Sequence, residues 1–248
     1  MTFYFGEKQG DTLVSKINLR DISSRARQWD HPVKGLLKHI ELLRKHEKNI
    51  LKLSKKDRES YCISIIGMAL REDTNTDWWI NIPKNDPPDG LVMTLHEDHP
   101  GSFRAHLREI EVVEHRTSPE QIFNTIHKKM TLKMYDSNTI LVCLVLTPSL
   151  YNFQSLANKL KGISSSVGHV FVVFIGTSLT NSKDSPKDLF PMFTLVQLLP
   201  VFESISTDTA SHLNDFFIKY KKGQESRIIE NNGVFFGTTN KAAITSDI

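Results

Sequence analysis

Residues 85–115 read NDPPDGLVMTLHEDHPGSFRAHLREIEVVEH. Two apolar runs here have the look of neighbouring strands. The first, LVMTL (91–95), follows a Pro-Pro-Asp turn; the second, FRAHLREIEVVEH (103–115), is interrupted by Glu109, Glu111 and Glu114. Side chains alternate between the two faces of a strand. Glu109 and Glu111 therefore share a face with Leu107 and Val113, while Ile110, Val112 and Glu114 point the other way. Two like charges at that spacing repel, and partial burial adds a desolvation cost. A divalent cation relieves both. Asp89 adds a third oxygen donor if the turn at Pro87-Pro88 brings it to the strand. Hard cations such as Mg²⁺ take carboxylate oxygens and retain waters. The bland alternative is a solvated strand with Arg108 and Arg116 as partners, since exposed glutamates on edge strands are common.

The charge of the chain frames this choice. Its 248 residues carry a net charge of +3, unevenly spread. Residues 1–60 hold 14 Lys/Arg against 8 Asp/Glu, residues 61–120 hold 5 against 11, and residues 121–248 hold 12 against 9. The carboxylates of interest thus sit in the one acidic block of a mildly basic chain. A basic surround suits a polyanion, and an acidic cluster suits a cation. At 39% hydrophobic and 24% charged, the composition is that of a globular chain with a sizeable core. No apolar run approaches the roughly 20 residues of a membrane-spanning helix. The start MTFYFGEKQGD lacks the basic and apolar regions of a signal peptide, so a cytoplasmic location is expected. Cys62 and Cys143 lie inside apolar runs and are expected as buried free thiols.

Working outward, residues 30–53 (DHPVKGLLKHIELLRKHEKNILKL) read as an amphipathic helix capped by Asp30. Leu36, Leu37, Ile40, Leu43, Ile50 and Leu51 form its stripe, with Lys38, Arg44, Lys45, Lys48 and Lys52 opposite. His39 and His46 are expected in solvent. Residues 54–72 open with Ser54 and Asp57 at capping-box spacing and turn almost wholly apolar, as in a buried helix. DWWINIP (77–83) reads as a strand, with at least one of Trp78 and Trp79 in the core, and HEDH (96–99) as a polar turn. SPEQIFNTIHKKM (118–130) predicts a helix with Ser118 as cap and Pro119 first. NTILVCLVL, LYNFQSLANKLKGI and HVFVVFIG then make a strand–helix–strand unit with parallel strands. A polar loop at 178–188, a strand at 192–202, a helix at 211–222, a hairpin at 227–237 turned by Asn-Asn-Gly, and a fraying tail complete a single α/β domain over 1–248.

The element order is helix, strand, Pro-Asp at the head of a second strand, acids in a third, helix, buried strand. In this order, and in Pro88-Asp89 with REIEVVE, the chain resembles the PD-(D/E)XK nuclease superfamily over about positions 35–146. The resemblance implies a restriction-endonuclease-like mixed sheet flanked by helices, with N-terminal helical and C-terminal strand–helix–strand and hairpin elaborations over about 147–237. It implies metal-dependent phosphodiester hydrolysis, with Asp89, Glu109 and Glu111 as catalytic and metal-binding residues, Mg²⁺ or Mn²⁺ as cofactor, and nucleic acid, DNA first, as partner. A homodimer is compatible with it, and no membrane is expected. The departure is at the lysine. In one alignment Glu109 is the acid and Glu111 replaces the lysine; in the other Glu111 is the acid and Val113 fills the lysine position. The second leaves no amine unless one arrives from elsewhere, for example Lys128 or Lys129. The alternative is an inactive module of nuclease fold that binds nucleic acid or a protein. A nucleotide-binding α/β protein is disfavoured, because no glycine-rich loop follows a predicted strand.

Overall fold

β5 (Ile140–Val145) is buried at every position, and this sets the layering. A strand apolar on both faces needs cover on both. Ile140, Val142 and Leu144 join a cluster with α1 (Pro32–Lys45) and α2 (Lys55–Thr74). Leu141, Cys143 and Val145 pack instead with α3 (Ile122–Leu132) and α4 (Phe153–Lys161). Helices therefore cover both faces of a central sheet. The computed structural model describes residues 27–46, 49–74, 76–84, 87–99, 102–132, 135–147, 149–175, 193–206, 227–231 and 234–238.

The other strands are β1 (Arg27–Asp30), β2 (Trp78–Asn81), β3 (Gly90–His99), β4 (Ser102–His115), β6 (His169–Ile175), β7 (Phe193–Leu199), β8 (Glu203–Ser206), β9 (Arg227–Asn231) and β10 (Val234–Thr238). All of these join one mixed sheet, ordered β10-β9-β1-β2-β3-β4-β5-β6-β7-β8. β2, β3 and β4 form an antiparallel meander, whereas β4, β5 and β6 are parallel and connected through α3 and α4. The expected α/β class and mixed sheet are present, as is the parallel strand–helix–strand unit. Cys62 and Cys143 are buried free thiols, and burial pushes Cys143 up to about 12. No described helix is long and apolar enough to cross a membrane.

Several local expectations are corrected. Asp30 belongs to β1, a strand that pattern reading passed over, and pairs with Lys34 at 2.8 Å. The cap of α1 is His31, whose Nδ1 accepts from the Val33 amide at 3.3 Å. α1 stops at Lys45, and Ile50–Lys52 is a separate 3₁₀ turn capped by Asn49. His39 is buried against Tyr61, with ring centroids 5.5 Å apart, rather than in solvent. HEDH is not a turn: it continues β3, paired to β4 with an irregularity between Glu97 and His99. Pro119 starts a 3₁₀ turn that leads into α3, and Ser118 makes no side-chain cap bond. Ser54 does cap α2, accepting from the Asp57 amide at 3.1 Å. Trp78 and Trp79 are both core, on opposite faces of the sheet. The expected strand at 192–202 is β7, and β8 after it was not foreseen. β9 and β10 make the expected hairpin. The loop at 178–188, the helix at 211–222 and the tail beyond Thr238 lie outside the described residues.

Candidate functional site

The alternation anticipated for β4 is what divides its residues between the layers. Ile110 and Val112 enter the α1/α2 core, while Leu107 and Val113 pack on the other face. Glu109 and Glu111 lie on that second face, between Leu107 and Val113. Asp89 reaches the same place from β3. It follows the cis Pro87–Pro88 peptide and directly precedes the strand. Gly90 opposes Ile110, which puts Asp89 in register with Glu111. A Cβ on Gly90 would sit 2.4 Å from Ile63 Cδ1 and 2.7 Å from Ile63 Cγ1, so any side chain here would have to push Ile63 of α2 aside.

Asp89 is 8% exposed, and its Oδ2 accepts from the Val112 amide at 2.7 Å. That amide lies beyond the first residue of β3, where the antiparallel ladder has ended; the carboxylate takes the place of a strand carbonyl. Glu111 is 4% exposed. A buried carboxylate without compensation costs several kcal/mol, on the order of an ionic desolvation penalty. Two donors offset it. Lys129 Nζ donates to Glu111 Oε2 at 3.1 Å, and the Tyr135 hydroxyl donates to the same oxygen at 3.5 Å. Lys129 stands on α3 beside the sheet-facing row of Ile122, Ile126 and Met130, at the flank from which a long side chain reaches the strand. Tyr135 follows α3 on the way to β5. Burial first, then the charges of Glu111, Asp89 and Glu109, hold its phenol well above the ordinary tyrosine range. One hydroxyl thus feels all three candidate acids, Glu109 least. Glu109 itself is half-buried opposite Leu91.

The structure thus brings Asp89 and Glu111 together and supplies an amine that the strand lacks. Val113, the residue at the lysine position of one alignment, is half-buried in the α3/α4 layer. Of the two lysines singled out on the helix, Lys129 makes the contact and Lys128 is exposed. Tyr135 was missed, because no local pattern marks a tyrosine in a connection as the partner of a strand residue. Of the two arginines expected as partners on a solvated strand, Arg116 does pair with a strand glutamate. Glu114 pairs with Arg116 at 2.6 Å, and also with Arg58 at 2.5 Å. Burial raises its pKa, but the hydrogen bonds from Arg58 and Arg116 prevail and hold it below the usual carboxylate range. Arg108 lies over the Trp78 ring, 5.7 Å from its centroid.

The basic face of α1 is elsewhere. Val33, Leu36 and Leu43 of α1 share a core with Ile110 and Val112, so α1 and its exposed Lys38 and Lys45 lie across the sheet from Glu111. Among the described residues, no group of three or more His, Cys, Asp or Glu is arranged to hold a metal ion. Asp89 and Glu111 offer hard oxygen donors of the type that Mg²⁺ or Mn²⁺ takes with retained waters, without the ligand count of a closed protein cage. No known protein family, curated protein or solved structure matches the chain.

Proposed function

We propose that this chain is a metal-dependent nuclease of the restriction-endonuclease-like kind, hydrolysing phosphodiester bonds of nucleic acid, DNA before RNA. The observation that carries the reading is the Lys129 amine, 3.1 Å from Glu111 on the strand beside Asp89. Acid, acid and amine are the set that such chemistry uses, and here the amine comes from α3 instead of β4. Asp89 and Glu111 would hold Mg²⁺ or Mn²⁺, with Glu109 behind them. When bound, the ion supplies a more acidic water and stabilises charge on the phosphate. The chain's own groups do the rest. Lys129 is placed to orient the attacking water and to assist its loss of a proton, a contribution of about 10²–10⁴-fold in comparable acid–base roles. The burial of Glu111 and Asp89 lowers the local dielectric and strengthens each of these interactions.

The test is incubation of the purified chain with mixed DNA and RNA in Mg²⁺ or Mn²⁺, beside Asp89→Ala and Lys129→Met. Cleavage by the parent and its loss in both variants is the expected result. Equal residual cleavage in all three would mark a contaminant and end the reading. A second reading is a module that binds nucleic acid without cutting it; the absence of a three-ligand group among the described residues favours it. Retained binding with no cleavage by the parent in either metal selects that one.

A further inference from the structure

The connection between α3 and β5 is braced from outside. Ser166, in the segment after α4, donates its hydroxyl to the Tyr135 carbonyl, and Ser165 Oγ donates to the Met130 carbonyl at 3.4 Å. Within the connection, Asp136 Oδ1 accepts from the Asn138 amide at 2.8 Å and from Thr139 Oγ1 at 3.3 Å. The two segments touch so closely that a Cβ on Gly168 would lie 1.9 Å from the Ser137 carbonyl oxygen, a backbone atom that cannot swing aside. A tyrosine on an ordinary surface connection sweeps a wide arc. This one has its carbonyl held by Ser166 and its ring packed with the α3/α4 layer. Its hydroxyl meets the same Glu111 oxygen that Lys129 meets.

We infer that Tyr135 is a positioning residue for Glu111: two donors converging on Oε2 fix the carboxylate's orientation, and the braced connection fixes the second donor. The inference rests on reading Glu111 as a cation ligand. Lys129 alone cannot do this job well, because an ammonium on a four-carbon stem is a point charge with no preferred direction. A phenol at the end of a rigid ring adds the missing directionality. Partners that orient a ligand in this way are worth on the order of 10–100-fold in metal affinity.

The experiment titrates Mn²⁺ calorimetrically into the full chain, the Tyr135→Phe and Ser166→Ala variants, and Asp89→Asn as reference, with melting temperatures taken without metal and cleavage kinetics beside them. Tyr135→Phe removes one oxygen and keeps the ring, so its metal-free melting temperature should fall only slightly, by the loss of one of two donors to Glu111. Its Mn²⁺ affinity should fall by about tenfold or more, with kcat reduced and KM for DNA unchanged. Ser166→Ala, which loosens the brace at a distance from the acids, should shift affinity in the same direction by less. Parent-like Mn²⁺ affinity and kcat in Tyr135→Phe would overturn the inference and leave the nuclease reading intact. A parent that takes no Mn²⁺, or binds it as well after Asp89→Asn, would overturn the cation-site reading and the inference with it.

Discussion

Glu111 and Glu114 stand three residues apart on β4, point to opposite faces and are both paired to a cation. The pairs are built differently. Glu114 meets Arg58 through two contacts, Nε to Oε1 at 2.5 Å and the other guanidinium nitrogen to Oε2 at 3.2 Å. Arg58 is 5% exposed and also donates to the carbonyl of Leu53, which closes the 3₁₀ turn ahead of α2. That is a planar fork locked into a carboxylate and a carbonyl, and nothing is left to move. Glu111 is as buried, but its partner Lys129 is 28% exposed and makes one contact. A compact ammonium at the mouth of a buried carboxylate can give way to another cation. The α1/α2 face thus locks its glutamate between layers, and the α3/α4 face leaves its own with a partly exposed partner.

The largest expected effects test that contrast directly. Lys129→Met should lower cleavage by about 10²–10⁴-fold and cost the fold about 3 kcal/mol, short of the full cost of stranding a buried charge because Tyr135 still donates to Glu111. Steady-state kinetics and urea melts separate the two numbers. Arg58→Ala should do the reverse: it strands Glu114 and a carbonyl, costs about 3–5 kcal/mol, and spares the turnover of whatever remains folded. If Arg58→Ala abolishes cleavage in fully folded protein, the division of labour between the faces is wrong.

A smaller effect concerns acid. His31 is buried 5.8 Å from the Trp79 ring and caps α1 through a neutral Nδ1. Burial, only partly offset by Asp77, lowers its pKa from 6.5 to about 4. Between those values the unfolded chain binds the proton and the folded chain does not, so stability falls as pH drops through this window. At about 1.4 kcal/mol per pKa unit, His31 alone withdraws roughly 2–3 kcal/mol by pH 4. His39, its pKa lowered by burial, adds to the loss in the same layer. Melting temperatures from pH 7 to 4 should therefore fall, and His31→Asn, which keeps a cap without the titration, should flatten the fall. An unchanged slope in that variant would remove His31 as the cause.

The smallest effect places the polyanion. Lys128 is exposed on α3 beside Lys129, whereas Lys38 and Lys45 are exposed on the far side of the sheet. Lys128→Glu should weaken nucleic-acid binding and reduce the salt slope by about one. Lys38→Glu and Lys45→Glu should change neither. The opposite pattern would put the nucleic acid on the α1 face and detach it from Glu111.

The helical layers and the strands were legible wherever period and composition agreed. LVMTL, REIEVV and ILVCLV read as strands because alternation or continuous β-branched runs leave little else. The cap of α1, HEDH and His39 were misread for a common reason. A cap, an antiparallel ladder and a buried ring depend on which neighbour arrives, and polar residues look like turn or surface until that neighbour is known. The acids of the site were legible as an anomaly, since carboxylates in an apolar strand demand compensation of some kind. Of what compensates Glu111, Lys129 was one of two lysines singled out and Tyr135 was not foreseen.

By itself the sequence determined that Glu109 and Glu111 share one face of a strand, that Asp89 heads its neighbour, and that the strand carries no lysine. Those facts follow from a period of two and from residue identity, both local. Only the tertiary structure decided that Lys129 meets Glu111, that Tyr135 reaches the same oxygen, and that the basic α1 lies across the sheet. Each of those is a contact between elements, set by which face of a helix packs and by which side of the sheet a crossover takes. A one-dimensional pattern carries the periodicity of each element but not the pairing of their surfaces, and that pairing is where the charge of Glu111 is balanced.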